Sequence, residues 1–113
     1  MKLRFAAVLF AVSTGATAHH GWSEYDASQT LTLTGAVEQS SYEHPHGYVT
    51  LTAGGKRWMA VLAPPSRMDN RGLMRDMLKP GATVTLVGYP NRNKPDEMRA
   101  ERITAAGKTV ELR

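Results

Sequence analysis

The chain has 113 residues, 14 basic and 10 acidic for a formal net charge of +4, and it contains no cysteine. That length supports one domain around one hydrophobic core and is too short for two. Without cysteine there are no disulfide staples, no thiolate metal sites and no cysteine nucleophile, so stability has to come from packing.

Residues 1–18 follow the grammar of a cleavable secretory signal. Lys2 and Arg4 precede the apolar run Phe5 to Val12, and a small, polar stretch from Ser13 ends in Ala16-Thr17-Ala18. The apolar run is too short for a permanent membrane span, and the two alanines suit a signal peptidase. The sequence therefore divides into a signal peptide, 1–18, and a single domain, 19–113, with His19 first in the mature protein. Loss of 18 from 113 residues leaves 95, and loss of Lys2 and Arg4 lowers the net charge from +4 to +2. The expected location is periplasmic or secreted, as a monomer with no stable membrane insertion after processing.

Short strands with turn signals between them dominate the mature sequence. Thr30 to Val37 alternates through Leu31 and Leu33, and Gly35 marks a bend or bulge. Tyr48 to Ala53 carries Val49 and Leu51 on one face, Gly54-Gly55 reads as a tight hairpin, and Lys56 to Leu62 returns beside it. Ala63-Pro64-Pro65 ends that strand, and Ser66 with Asp69 offers an imperfect capping box for a short helix. Gly72 divides the helix, with Leu73, Met74, Met77 and Leu78 following it at helical spacing, and Lys79-Pro80-Gly81 stops it. Thr83 to Tyr89 and Met98 to Ala105 are further strands, joined by the charged loop Pro90 to Glu97. Lys108 to Leu112 either extends the last strand or forms a short sixth.

The result is a mainly β chain of three strands, a short helix and two or three strands. That order matches the five-stranded Greek-key barrel of the OB fold, with the helix between strands three and four. A small sandwich or an open half-barrel fits the same pattern.

With those segments placed, the sequence resembles a family of small secreted bacterial proteins of unknown function. The likeness rests on His19-His20-Gly21-Trp22, Tyr25-Asp26, Leu33 to Val37, Pro45-His46, Trp58, Leu78 to Gly81, Gly88-Tyr89-Pro90 and the Arg99 to Thr104 segment. One departure is His44, where the pattern more often has Asn. The resemblance implies export and a small β-rich fold, and no activity.

The chemistry-bearing residues are four histidines. Cleavage before His19 creates a free amine beside an imidazole on the same residue, a chelate suited to copper(II), which prefers tetragonal nitrogen sites and heads the first-row affinity order. The amine gives up its proton to a metal readily near neutral pH. His20 adds an imidazole, and His44-Pro45-His46 sets two more on one side of an extended segment. His19 with His46 would then resemble a histidine brace, with His20 or His44 as a fourth ligand and Glu24, Asp26 or Glu43 as supporting groups. The plainer alternatives are a polar N-terminal tail and a His46 that hydrogen-bonds a backbone carbonyl. Met74 and Met77 have a spacing that copper(I) accepts, but the expected place for them is the buried helix face, where methionine fills gaps. Trp58 is expected in the core, and Trp22 either shields a site or packs the N-terminal arm against the barrel.

Arg92, Lys94, Arg99 and Arg102 make the last hairpin basic, but Asp96, Glu97 and Glu101 interrupt it. The expectation is a solvated charged hairpin with no nucleic-acid partner. No nucleophile elbow or phosphate-cradling glycine loop is present. Two roles follow: an exported protein that binds copper through His19, His46, His20 and His44, or a metal-free module that holds an envelope component, peptide or small ligand. A third, oxidation by a brace-bound copper, additionally requires an open coordination position.

Overall fold

A computed structural model of the protein describes residues 21–113. The expected signal peptide, His19 and His20 lie outside the described residues. Six strands, β1 (Leu31–Ser41), β2 (Tyr48–Ala53), β3 (Lys56–Val61), β4 (Thr83–Pro90), β5 (Glu97–Ala105) and β6 (Lys108–Glu111), form one sheet. Their order is β3-β2-β1-β4-β5-β6, and an additional pairing of β3 with β5 closes the first five into a barrel. That closing pairing is parallel, whereas all other neighbours are antiparallel. The fold is the five-stranded barrel expected from the strand order, with β6 as an extra strand rather than an extension of β5.

Strand β1 belongs to both halves of the barrel. Residues Leu31 to Ala36 pair with β4, and Val37 to Ser41 pair with β2. The irregularity that lets it turn lies between Val37 and Gln39, not at Gly35. Gly35 has a different duty, because a Cβ there would sit 2.5 Å from the Thr52 carbonyl oxygen of β2. The hairpin at Gly54-Gly55 is as the sequence predicts, with both φ angles positive, +61° and +78°.

The alternation of each strand sets the interior. Leu33, Val37, Val49, Leu51, Trp58, Ala60, Val84, Leu86, Met98, Ala100, Ile103 and Ala105 are buried in one cluster. Burial of this apolar surface is the main stabilising term for a domain without cross-links.

Between β3 and β4 the helical reading needs correction. The helix α1 (Pro65–Asn70) lies wholly before Gly72, starts with Pro64 as N-cap and has no side-chain cap, so Ser66 and Asp69 form no capping box. Proline at the first helical position needs no N–H partner, which removes one reason for a cap. After Gly72 comes a single 3-10 turn, Arg75–Leu78. Leu73 and Leu78 enter the core, Met77 is partly buried against it, and Met74 points outward at 44% exposure. The tighter turn changes which side chains share a face, so Met74 and Met77 do not form a common buried stripe.

Candidate functional site

Strands β3 and β5 face inward through Trp58, Ala60, Met98 and Ala100. Their alternate residues Met59, Val61, Glu97 and Arg99 therefore lie on the outer face of the barrel, at the seam where the two strands meet. Met59 is the register partner of Glu97 and Val61 that of Arg99, while across the other edge of β3 Thr50 partners Met59 and Tyr48 partners Val61. Two groups of side chains gather along this seam.

The first group docks the N-terminal arm. Residues Trp22–Glu24 form a 3-10 turn, and Tyr25 bridges to Asn91. Trp22 is covered by the guanidinium groups of Arg99, 4.5 Å from its ring centroid, and Arg113, at 4.4 Å. Tyr25 and Tyr89 meet Trp22 edge-on. Below it the Tyr25 hydroxyl donates to Glu97 Oε2 at 2.5 Å, and Asn91 Nδ2 donates to the same oxygen at 3.3 Å. Arg92 donates from its backbone N–H to the Glu24 carbonyl and from Nε to the Ser23 carbonyl. Burial, then the Glu97 carboxylate, push the Tyr25 hydroxyl well above the ordinary phenol range. Burial also lowers the affinity of Arg99 for its proton.

This arrangement corrects the expectation of a solvated charged hairpin. Arg99 is 6% exposed and Glu97 7% exposed. Arg92 and Lys94 are exposed in the loop, but Arg92 is tied to the arm, and Arg102 on β5 is half-buried and pairs with Glu111 at 2.8 Å. Trp22 does pack the arm against the barrel, one of its two expected uses.

The second group surrounds the β1–β2 connection. A depression of about 280 Å³ is lined by Glu43, His44, His46, Tyr48, Met59 and Val61 among others. His44 is exposed and His46 half-buried. They do not sit on an extended strand: the chain bends at His44-Pro45, whose peptide bond is cis, before β2 begins. Even so, both imidazoles line one depression. The backbone of Gly47 is fixed by its N–H to the Ala63 carbonyl and by its own carbonyl to the Leu62 N–H. A Cβ at Gly47 would press on the Met68 methyl and the Ser41 carbonyl, so only glycine lets the bend pack this closely. A second depression, of about 200 Å³, continues along the same face past Met59 to Thr50, Arg57, Trp58 and Asp96.

Among the described residues no group of three or more His, Cys, Asp or Glu is gathered for a metal ion. His44 and His46 are brought together, and His19 and His20 lie outside the described residues. Sequence reasoning missed Met59, Tyr25, Glu97 and Arg113. Met59 had one usable signal, its outward phase in the alternation of β3. No helix among the described residues is long and apolar enough to cross a membrane.

Comparison with known proteins gives the fold and a family. Thirty-seven solved chains match. One, from the crystal structure of a complex of TiaS with tRNA and ATP, superposes with a TM-score of 0.50 at 20% identity, over 75% of this chain and 19% of the other. The likeness thus spans about a fifth of that chain and concerns the fold alone. No curated protein sequence matches. A family model matches residues 7–98, and the chain belongs to that family, described as a family of unknown function, DUF6152.

Proposed function

We propose that the protein is an exported copper-binding protein in which the processed N-terminus and the His44-Pro45-His46 bend share one site. The His19 amine and ring and His46 supply three nitrogens, and His20 or His44 the fourth. The observation that supports the reading is a chain of neighbours leading from the docked arm to the two histidines. Arg99, which covers Trp22, partners Val61, and Val61 and its own partner Tyr48 line the depression with His44 and His46. Two strand spacings, about 10 Å, separate the backbones of Arg99 and Tyr48. His19 and His20 precede Gly21 and, fully extended, add about 7 Å of chain to the arm. Export rests on the pattern of residues 1–18, with Lys2 and Arg4 before the apolar run Phe5 to Val12 and Ala16-Thr17-Ala18 after it.

The test is titration with copper(II) of protein that starts at His19, as verified by intact mass. Affinity tighter than about micromolar is expected, weakening about a hundredfold when one alanine precedes His19 and comparably in His46→Ala. Affinity unchanged by both alterations would overturn the chelate.

A second reading, a metal-free module for a peptide, small ligand or envelope component, is favoured by the continuation of the depression along β2 and β3. OB barrels commonly bind ligands on that face. Capture of the same envelope component by wild type and by protein altered at both His19 and His46 would select it over copper.

A further inference from the structure

Met59 stands where a soft ligand would be wanted. It is on β3, 37% exposed, and lines the depression that holds His44 and His46. Its backbone is fixed on three sides: Thr50 pairs with it in β2, Glu97 in β5, and its N–H donates to the Asp96 carbonyl at 2.8 Å. A large apolar side chain on the outer face of a paired strand thus lines the same depression as two imidazoles. Thioether sulfur with imidazole nitrogen is a donor set that selects copper(I) over harder ions.

We propose that His44, His46 and Met59 form a copper(I) site. The inference rests on the reading of this depression as a metal site, but it uses only described residues and does not require the His19 chelate. The same depression would then serve two oxidation states through different partners: copper(II) through the N-terminal amine and imidazoles, copper(I) through imidazoles and the thioether. No electron transfer by the protein is implied, because the cuprous ion is bound as supplied.

The amino-acid composition makes the site readable by spectroscopy. With no cysteine in the chain, any sulfur bound to copper comes from methionine. Met68 and Met98 are fully buried in the core, and Met77 Sδ accepts the Met74 N–H at 3.3 Å. Met59 and Met74 are the exposed methionines among the described residues.

The experiment supplies copper(I) as its bicinchoninate complex under ascorbate to the full processed chain, to Met59→Leu, Met74→Leu and His46→Gln, and to the chain with one alanine ahead of His19. Leucine keeps the apolar volume of Met59 at an exposed position, so the fold is retained, and circular dichroism checks it. The expected result is copper(I) affinity weakened about tenfold or more by Met59→Leu and by His46→Gln, and unchanged by Met74→Leu. Copper(II) affinity in Met59→Leu should stay within about twofold. X-ray absorption of the copper(I) form should show a sulfur neighbour that Met59→Leu removes. Unchanged copper(I) affinity in Met59→Leu, equal weakening toward both oxidation states, or a nitrogen-only copper(I) shell would overturn the proposal. The N-terminal alanine separates the two readings: if it spares copper(II) binding, the chelate fails, and Met59 dependence of copper(I) still decides the thioether site.

Discussion

Single atoms decide several positions in this barrel. Gly88 lies beside the register shift between β4 and β5, where a Cβ would collide with the Arg99 carbonyl oxygen and the Ala100 Cα, both backbone atoms that cannot swing away. Gly88→Ala is therefore expected to cost about 3 kcal/mol or more, since the two strands must part to accept it. Gly54 is the contrasting case. Its φ is +61° but nothing lies within 4 Å of an added Cβ, so Gly54→Ala carries only the left-handed backbone penalty, about 1 kcal/mol. Urea unfolding of both variants checks the ranking, and equal losses would show that the close approach at Gly88 relaxes freely. At this scale the sequence announces Gly54 through its neighbour Gly55, but nothing local marks Gly88, whose constraint comes from the following strand. Met59 and Glu97 are the same kind of case: their residue types are visible in the sequence, and the neighbours that give them a role are supplied by the β3–β5 seam.

At the level of elements, legibility follows the range of the forces involved. The strands are readable because half-buried strands alternate, and the Gly54-Gly55 turn fixes one register locally. The short helix between β3 and β4 is readable too, but its extent is not, because Leu73, Met74, Met77 and Leu78 imitate helical spacing, whereas Gly72 at φ +89° and the tight Arg75–Leu78 turn send Leu73 and Leu78 inward and Met74 out. What α1 does is hidden from any local reading. Its two arginines, Arg67 and its C-cap Arg71, hold the chain's last residues: Arg67 donates to the Leu112 carbonyl at 3.0 Å, and Arg71 to the carbonyls of Glu111 and Arg113 at 2.8 and 3.1 Å. These bonds keep Leu112 buried and Arg113 over Trp22, so α1 indirectly supports the docked arm. Arg67→Met is expected to cost about 1–2 kcal/mol, because its bond is partly buried, and Arg71→Met under about 1 kcal/mol, because its bonds are exposed. Thermal unfolding of the two variants measures the difference, and a larger loss for Arg71→Met would contradict the assignment of strength by burial.

The whole molecule is closed by only three register pairs of β3 with β5, Met59 with Glu97, Ala60 with Met98 and Val61 with Arg99. The N-terminal arm rests on Glu97 and Arg99, two of the β5 residues in these pairs, so its attachment and the stability of the barrel are coupled. Long-range closure and arm docking are the features the sequence conceals, since each joins segments far apart in the chain: Tyr25 reaches Glu97 over 72 residues. Tyrosines make several of these links: Tyr25 to Glu97, Tyr42 to the Leu73 carbonyl and Tyr89 to Glu101. All three hydroxyls are held above the ordinary phenol range, Tyr25 and Tyr42 first by burial and Tyr89 first by its bond to Glu101. An unfolded tyrosine loses its proton near about pH 10, while the folded Tyr25 keeps it. The stability from this raised value is therefore fully present below about pH 10 and declines as pH rises, with a limiting slope of about 1.4 kcal/mol per pH unit for one tyrosine. Tyr25→Phe removes both the hydroxyl and its titration. At about pH 7 the variant should be less stable by about 1–3 kcal/mol, because the buried Glu97 loses a donor. Above about pH 10 its disadvantage should shrink as the wild type loses its tyrosine contribution. Urea unfolding of both proteins from about pH 7 to about pH 11 measures that convergence. A stability gap that stays constant across the range would mean that the Tyr25 proton is not what links the arm to the barrel.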